Sequence, residues 1–187
     1  MYLISIYFDT KTNGVMQRYI NRIAEKTGNN FMTEKNVPPH ITVSAFETKE
    51  EEQVILALER VVGAQQAGKI SWVSVGQFFP HVLYLTPLLD EYLHQMSCNI
   101  FRELSVIPQT IINRYYRPFQ WLLHATLGKK LTKEEMRLAF EVMQEQFEVF
   151  DGKVVAIGLA KTNPYREIVR YDLKGEQYGI NKCKTGN

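Results

Sequence analysis

The chain has 187 residues, 45% of them apolar, which is enough for one compact domain with a substantial core. Its formal net charge of +2 is too small for a protein that holds long nucleic acid mainly by neutralising phosphates, and it suits a small anionic ligand. The cysteines Cys98 and Cys183 lack metal-site or disulfide-framework spacing, and no run approaches the ~20 apolar residues of a membrane span, so we expect a reduced, cytoplasmic protein without a membrane partner.

The first predicted strand covers residues 2–8, an apolar run that no basic residue precedes, which favours a strand over a signal peptide. Apolar residues at helical spacing then predict a helix over residues 13–27, which Gly28 ends. After a polar loop, the pair Pro38-Pro39 leads into a strand over residues 40–46, because the residue before a proline favours extended backbone.

The next elements are predicted as a helix and a hairpin. Thr48 and Glu51 form a capping box that predicts the start of the helix, and Gly63 ends it. The β-rich runs 69–78 and 82–86 flank a proline-containing turn, which predicts a hairpin.

A further helix is predicted from Thr86 as cap and Pro87 as first-turn residue, through an apolar stripe that ends at Leu104. Residues 105–121 are irregular, and a loop of this length in a compact domain is often functional. The loop contains Arg114-Tyr115-Tyr116-Arg117, which could stack on a nucleotide, although a solvated loop is the favoured interpretation.

The second half of the chain repeats the order strand, helix, hairpin. The predicted strand covers residues 122–128, and a second capping box at Thr132 and Glu135 starts the helix. The runs 153–161 and 167–173 then predict a second hairpin around another proline-containing turn.

Each of the two predicted strands that start these units carries a His-x-Thr motif, in Pro-Pro-His-Ile-Thr-Val and in Leu-His-Ala-Thr-Leu. Side chains alternate between the two faces of a strand, so His40 shares a face with Thr42, and His124 with Thr126. The imidazole and the hydroxyl then stand ~7 Å apart on one face, while apolar residues occupy the other. Two of only four histidines are used in this way, which makes the pair the strongest functional signal in the sequence.

The two motifs lie 84 residues apart, and the same offset relates the two capping boxes and the prolines of the two hairpin turns. This internal repeat predicts an α+β fold of two similar lobes, related by a pseudo-twofold axis, each with an antiparallel sheet backed by helices. Both motifs would then line a central cleft. Residues 1–174 are predicted to form this single bilobal domain, and residues 175–187 a polar C-terminal tail.

Two histidines and two threonines around a cleft suit acid–base chemistry at phosphorus. One neutral imidazole can accept a proton from the attacking group, and one imidazolium can donate a proton to the leaving oxygen. The threonine hydroxyls can donate hydrogen bonds to phosphate oxygens as charge develops. This proton transfer is complete without a metal or cofactor, so none is expected. A metal site built on the two histidines is disfavoured, because no carboxylate or cysteine occupies a motif position.

The paired motifs and the duplicated units resemble the two-histidine (2H) phosphoesterase superfamily, and the Pro-Pro-His-Ile-Thr-Val form resembles its LigT-like, 2′-5′ RNA ligase branch. The resemblance covers roughly residues 1–173. It implies cyclic phosphodiesterase or related metal-independent chemistry on 2′,3′-cyclic phosphates, related cyclic nucleotides or 2′-5′ linkages. It also implies that His40 and His124 are the acid–base pair and that Thr42 and Thr126 hold the phosphate.

One position departs from the pattern of the resembled family, whose members often have arginine where this chain has Lys129. A lysine keeps the charge and loses the bidentate fork. Lys129 is predicted to bind the substrate, although continued strand alternation would direct Lys130 to the cleft instead. We expect a monomer that acts on a nucleotide or an RNA end. The alternative is a non-catalytic module that binds such a ligand in the same cleft.

Overall fold

The computed structural model describes residues 1–35 and 37–175. Except for Gly175, the predicted polar tail lies outside the described residues. The strands are β1 (Tyr2–Phe8), β2 (His40–Glu47), β3 (Gly68–Phe78), β4 (Val82–Pro87), β5 (Ile111–Ile112), β6 (Ala125–Gly128), β7 (Phe150–Lys161) and β8 (Arg166–Asp172). The helices are α1 (Thr10–Thr27), α2 (Phe31–Lys35), α3 (Glu51–Ala64), α4 (Glu91–Ser105) and α5 (Lys133–Gln146).

All eight strands belong to one antiparallel sheet in the order β5-β2-β1-β7-β3-β4-β6, with β8 paired to β7. The long strand β7 joins its two parts, since its first residues pair with β3 and its later residues pair with β1 and β8. We call β5, β2, β1, β8 and the later part of β7 the first lobe. The second lobe contains β3, β4, β6 and the start of β7.

Helices cover one face of each lobe. Helices α3 and α4 pack together against the first lobe, and α1 and α5 pack together against the second. The strand residues that face them are fully buried, as Ile41 and Leu127 illustrate on the two motif strands. The predicted α+β fold with an antiparallel sheet backed by helices is confirmed. On each motif strand, polar and apolar side chains alternate because the apolar face packs against a layer of helices.

The two sequence repeats exchange their hairpins between the lobes. The first repeat consists of β2, α3 and the β3–β4 hairpin, and the second of β6, α5 and the β7–β8 hairpin. Strand β6 pairs with β4 of the first repeat, whereas the hairpin of the second repeat lies beside β1, the neighbour of β2. Each lobe therefore combines the motif strand of one repeat with the hairpin of the other.

The helix caps agree with the sequence only in part. Thr132 and Glu135 form the predicted capping box at the start of α5. The predicted box at Thr48 is wrong: α3 starts at Glu51, and the Thr48 hydroxyl instead accepts hydrogen bonds from the Glu50 N–H and the Thr110 hydroxyl. The turn that leaves β2 occupies these residues, so the helix begins later.

The predicted start of α4 at Thr86-Pro87 is also wrong, because these residues end β4 between two other strands. The Thr86 hydroxyl donates to the Leu123 carbonyl at 2.7 Å, and Asp90 caps the helix instead. Two segments expected to be irregular contain short elements, namely α2 in the loop after α1, and β5 with a 3-10 helix (Arg114–Tyr116) between α4 and β6. Among the described helices, none combines the length and apolar character that crossing a membrane requires.

Candidate active site

The two motif strands lie side by side although the sheet order separates them. Strands β2 and β6 stand five steps apart along the order β2-β1-β7-β3-β4-β6, and yet Cα atoms of the two strands approach within 8 Å. The sheet therefore curls until its two ends meet. The two motif strands are thus neighbours in space, although they lie far apart along the sheet order.

His40 is the first residue of β2, and its orientation is set by the chain just before it. Its Nδ1 lies 2.9 Å from the carbonyl oxygen of Pro38. A carbonyl can only accept, so Nδ1 carries the hydrogen and donates it. Nε2 is then the basic nitrogen of the neutral ring. The rigid Pro38-Pro39 segment holds the acceptor in place.

His124 repeats this arrangement in the residue before β6. Its Nδ1 donates to the carbonyl oxygen of Leu122, two residues earlier, also at 2.9 Å. Its ring makes edge contacts with the rings of Phe78 and Tyr84, at centroid distances of 4.8 and 5.4 Å. Both histidines thus have the same tautomer and leave Nε2 for a ligand.

Burial and positive charge disfavour protonation of these rings. Burial is the main cause that lowers the pKa of His40, and the charges of His124, Arg170 and Lys129 lower it further against the opposing Pro38 hydrogen bond. Burial also lowers the pKa of His124, against the hydrogen bond to Leu122. A positive charge on His124 disfavours a positive charge on His40, so protonation of His124 lowers the pKa of His40.

The motif threonines lie where alternation predicts. Thr42 is 9% exposed and its Oγ1 stands 3.4 Å from the Oγ of Ser5, its partner on β1. Thr126 is partly buried on β6, opposite Tyr84 of β4. Thr42 follows His40 by two residues on β2, and Thr126 follows His124 by two residues. The strand predicted over residues 122–128 is shorter, because β6 begins at Ala125 and His124 lies just before it.

The alternation that would direct Lys130 to the cleft does not continue, because β6 ends at Gly128 and Lys130 has a left-handed φ of 58°. The Nζ atoms of Lys129 and Lys130 lie 6.0 and 4.8 Å from the centroid of the Phe31 ring on α2. Of these two lysines, Lys129 is the one whose charge lowers the pKa of His40. Lys129 is therefore the better candidate for the substrate-binding residue.

Sequence reasoning missed three side chains at this surface. Tyr7 is paired with His40 across β1 and β2, and Arg170 of β8 stacks on Tyr7. Trp121 donates from Nε1 to the main-chain carbonyl of Thr42 at 2.9 Å, which ties the segment before His124 to the other motif. The local signal for Tyr7 and Arg170 was Gly158, a glycine inside a predicted strand, which marks a close approach.

Within residues 1–35 and 37–175, no group of three or more His, Cys, Asp or Glu side chains is arranged to hold a metal ion. The chemistry that this surface can perform with its own side chains is proton transfer by two imidazoles and hydrogen bonding by two hydroxyls.

A sequence model of the 2′-5′ RNA ligase superfamily matches residues 16–166, a span that contains both His-x-Thr motifs. The chain belongs to this superfamily. Membership in the superfamily indicates activity of the phosphoesterase or ligase type. A search of curated protein sequences finds no match.

Solved structures with the same fold include Escherichia coli LigT and two other proteins. The Thermus thermophilus protein TT0787 has a TM-score of 0.58 at 12% identity, over 94% of this chain and 98% of that one. A protein described as a phosphoesterase has a TM-score of 0.55 at 14% identity, with 92% and 97% covered. Escherichia coli LigT complexed with 3′-AMP has a TM-score of 0.54 at 15% identity, also with 92% and 97% covered. The resemblance to the LigT-like fold is thus confirmed.

Proposed function

We propose that this protein is a metal-independent phosphoesterase that acts on 2′,3′-cyclic phosphates or related cyclic nucleotide or 2′-5′ phosphodiester substrates. The observation that carries the proposal is the matched pair of histidines. His40 and His124 each donate from Nδ1 to a carbonyl two residues earlier, which leaves Nε2 of each ring for a ligand, and they lie on neighbouring strands. Two equivalent proton-transfer groups at one cleft are what in-line displacement at phosphorus requires.

The proposed hydrolysis needs two proton transfers. One neutral imidazole takes a proton from water while the water oxygen bonds to phosphorus. The bond from phosphorus to the leaving ribose oxygen breaks, and the other, protonated imidazole donates its proton to that oxygen. Thr42 and Thr126 donate hydrogen bonds to the nonbridging oxygens, and Lys129 offsets their charge. The product of a cyclic phosphate is a phosphomonoester.

The lowered pKa values of both histidines suit a site that is completed by its substrate. In the free protein, burial favours two neutral imidazoles. An anionic phosphate placed between them favours protonation, because an opposite charge raises the pKa of a histidine. Substrate binding would then supply the proton that the acid role needs.

A nucleotide or RNA end is the proposed substrate class. Solved structures of Escherichia coli LigT contain 3′-AMP and, separately, phosphate. These structures support a ligand with a phosphate on a ribose for the present chain, and the side chains of both motifs would contact this phosphate.

The alternative is a non-catalytic module that binds a nucleotide in the same cleft. The observation that favours it is the lowered pKa of both histidines, because burial disfavours the protonated ring that the acid role needs. In this alternative the histidines act only as hydrogen-bond donors to the ligand. Such a module would bind a nucleotide without converting it.

The deciding experiment measures turnover of a 2′,3′-cyclic nucleotide in the presence of EDTA. We expect activity in the wild-type protein and a loss of about 10²–10⁴-fold in His40→Ala and in His124→Ala. The matched control is His94→Ala, because His94 lies on α4 and contacts Cys98 and Phe119.

Three outcomes would change the proposal. A single variant with a near-normal rate removes that histidine from the reaction. Binding of 3′-AMP without turnover supports the non-catalytic alternative. Activity that EDTA abolishes indicates metal-assisted hydrolysis.

A further inference from the structure

Arg170 lies in a row of residues that crosses the first lobe from the Thr42 motif. Thr42 pairs with Ser5 on β1, Ser5 with Gly158 on β7, and Gly158 with Arg170 on β8. Residues directly opposite each other in an antiparallel sheet project to the same face. The arginine therefore stands on the face that carries Thr42 and His40, three strands away.

Gly158 has no side chain, which leaves room for a contact between Arg170 and the tyrosine beside His40. A Cβ atom at this position would lie 3.1 Å from Cε2 of Tyr7 and 2.9 Å from the carbonyl oxygen of Val169. The Tyr7 ring lies over the glycine and meets Arg170, whose Cζ stands 3.7 Å from the ring centroid. Tyr7 also lies beside His40, with the ring centroids 6.0 Å apart.

The guanidinium is both fixed in place and accessible. Stacking on Tyr7 orients its plane, and an ion pair with Glu167 occupies Nη2. A guanidinium has five N–H donors, so this pair leaves others for a ligand. The side chain is 33% exposed, which leaves room for an anion to approach it.

The second lobe has a similar row of paired residues that starts at Thr126, but this row does not end in an arginine. Thr126 pairs with Tyr84, and Tyr84 pairs with Gly76, over which its ring lies. In the described part of the chain, β3 pairs with β7 over residues 68–72 and has no strand on that side of Gly76. Thr86, the repeat equivalent of Arg170, uses its hydroxyl for the Leu123 carbonyl. The cleft therefore has an arginine on one side.

We propose that Arg170 binds the substrate phosphate and supplies the bidentate contact that Lys129 cannot make. The inference rests on the proposed function, because it assumes that a phosphate occupies the cleft between the two motifs. A guanidinium matches two phosphate oxygens with a planar fork, whereas an ammonium is a point charge. Strand β8 thus provides the planar guanidinium that the residues after β6 lack, since Lys129 stands there instead of an arginine.

The first test measures the binding of inorganic phosphate by isothermal titration calorimetry, without turnover. We expect Arg170→Lys to weaken phosphate binding about tenfold or more, since it keeps the charge and loses the fork. Arg166→Lys is the matched control, because Arg166 lies on the same strand and contacts Glu51. Equal affinities of Arg170→Lys and the wild type overturn the inference.

A second variant guards against misfolding. If Arg170→Lys does not fold, Glu167→Gln keeps the guanidinium and removes the carboxylate that competes with phosphate. Tighter phosphate binding by this variant supports the inference, and unchanged or weaker binding overturns it.

The pH profile separates phosphate binding from a structural role. Arg170→Gln removes a positive charge that lowers the pKa of His40, so we expect the optimum of kcat/KM to move to higher pH, with a raised KM. A change in thermal stability alone, with an unmoved optimum and KM, indicates a structural role and overturns the inference.

The two proposals fail in distinguishable ways. Phosphate binding that depends on Arg170 in a protein without turnover would overturn the proposed function and leave the inference intact. Turnover that is insensitive to Arg170→Lys would overturn the inference alone.

Discussion

His40 and His124 owe their orientation to the main chain rather than to an acidic partner. Each Nδ1 donates to a carbonyl two residues earlier. A neutral acceptor orients the ring without adding a negative charge, and so it opposes the effect of burial on the pKa only weakly. The result is a pair of imidazoles with lowered pKa values that differ in their surroundings, since the charges of Arg170 and Lys129 act on His40.

These pKa directions predict an acidic optimum. A group with a lowered pKa releases its proton at lower pH, and catalysis needs one neutral and one protonated ring. The kcat/KM of the free enzyme should therefore follow a bell, centred below the ordinary histidine pKa of ~6.5, whose limbs belong to the coupled pair. Bound phosphate raises these pKa values, so the kcat optimum should lie at higher pH than the kcat/KM optimum.

The measurement is a pair of pH–rate profiles recorded in EDTA with a 2′,3′-cyclic nucleotide. Profiles of kcat and kcat/KM with one common optimum would contradict the expected effect of bound phosphate. A rate that rises continuously with pH would contradict the two-histidine mechanism.

At the scale of elements, the segment between α4 and β6 joins the two motifs. Its β5 residues pair with the end of β2, and the Asn113 N–H donates to the Ala45 carbonyl. Further on, Trp121 donates to the Thr42 carbonyl, three residues before His124. The position of His124 relative to β2 thus depends on contacts between this segment and the first motif strand.

Trp121→Phe should impair catalysis more than stability. The variant keeps an aromatic ring and loses the hydrogen bond to Thr42, which costs about 1 kcal/mol in the free energy of unfolding. A displacement of His124 by a fraction of an ångström should lower kcat by about 10- to 100-fold. Urea denaturation and steady-state kinetics measure the two effects.

Phe119→Ala is the control for this variant, because Phe119 lies in the same segment and is 85% exposed. Its kcat should stay close to that of the wild type. A wild-type kcat in Trp121→Phe would show that the hydrogen bond does not position the histidine.

At the scale of the whole molecule, β7 and the exchanged hairpins make the lobes interdependent. Strand β7 pairs with β1 and β8 in one lobe and with β3 in the other. Because each motif strand belongs to a different repeat from the hairpin of its lobe, neither repeat can bury its apolar face alone. That residues 1–174 form a single domain stays a prediction, with which this interdependence agrees.

We therefore expect one cooperative unfolding transition. Of the two tryptophans, Trp72 is fully buried in β3 and Trp121 contacts the first lobe. Tryptophan fluorescence and far-UV circular dichroism should give coincident urea transitions. The same agreement should hold in Trp121→Phe, whose fluorescence reports Trp72 alone. Two separate transitions would show that the lobes fold independently.

The expectations of a cytoplasmic location and a monomeric state stay predictions.

The sequence by itself determined the features that depend on local pattern and on repetition. Apolar alternation placed β2 and β6 with their histidines and threonines on one face, and the offset of 84 residues joined the two motifs. The capping box at Thr132 was predictable because both of its hydrogen bonds lie within four residues. Family membership followed from the same short motifs.

Only the tertiary structure decided which strands pair, and the positions of Tyr7 and Arg170 beside His40 depend on that pairing. Thr86 could not cap α4 because β4 lies between β3 and β6, and Thr48 could not cap α3 because its hydroxyl serves the turn after β2. Arg170 reaches the side of His40 only because β8 pairs with β7 and Gly158 leaves room for Tyr7. Long-range register follows from burying the apolar faces of both lobes together, and no local pattern encodes it.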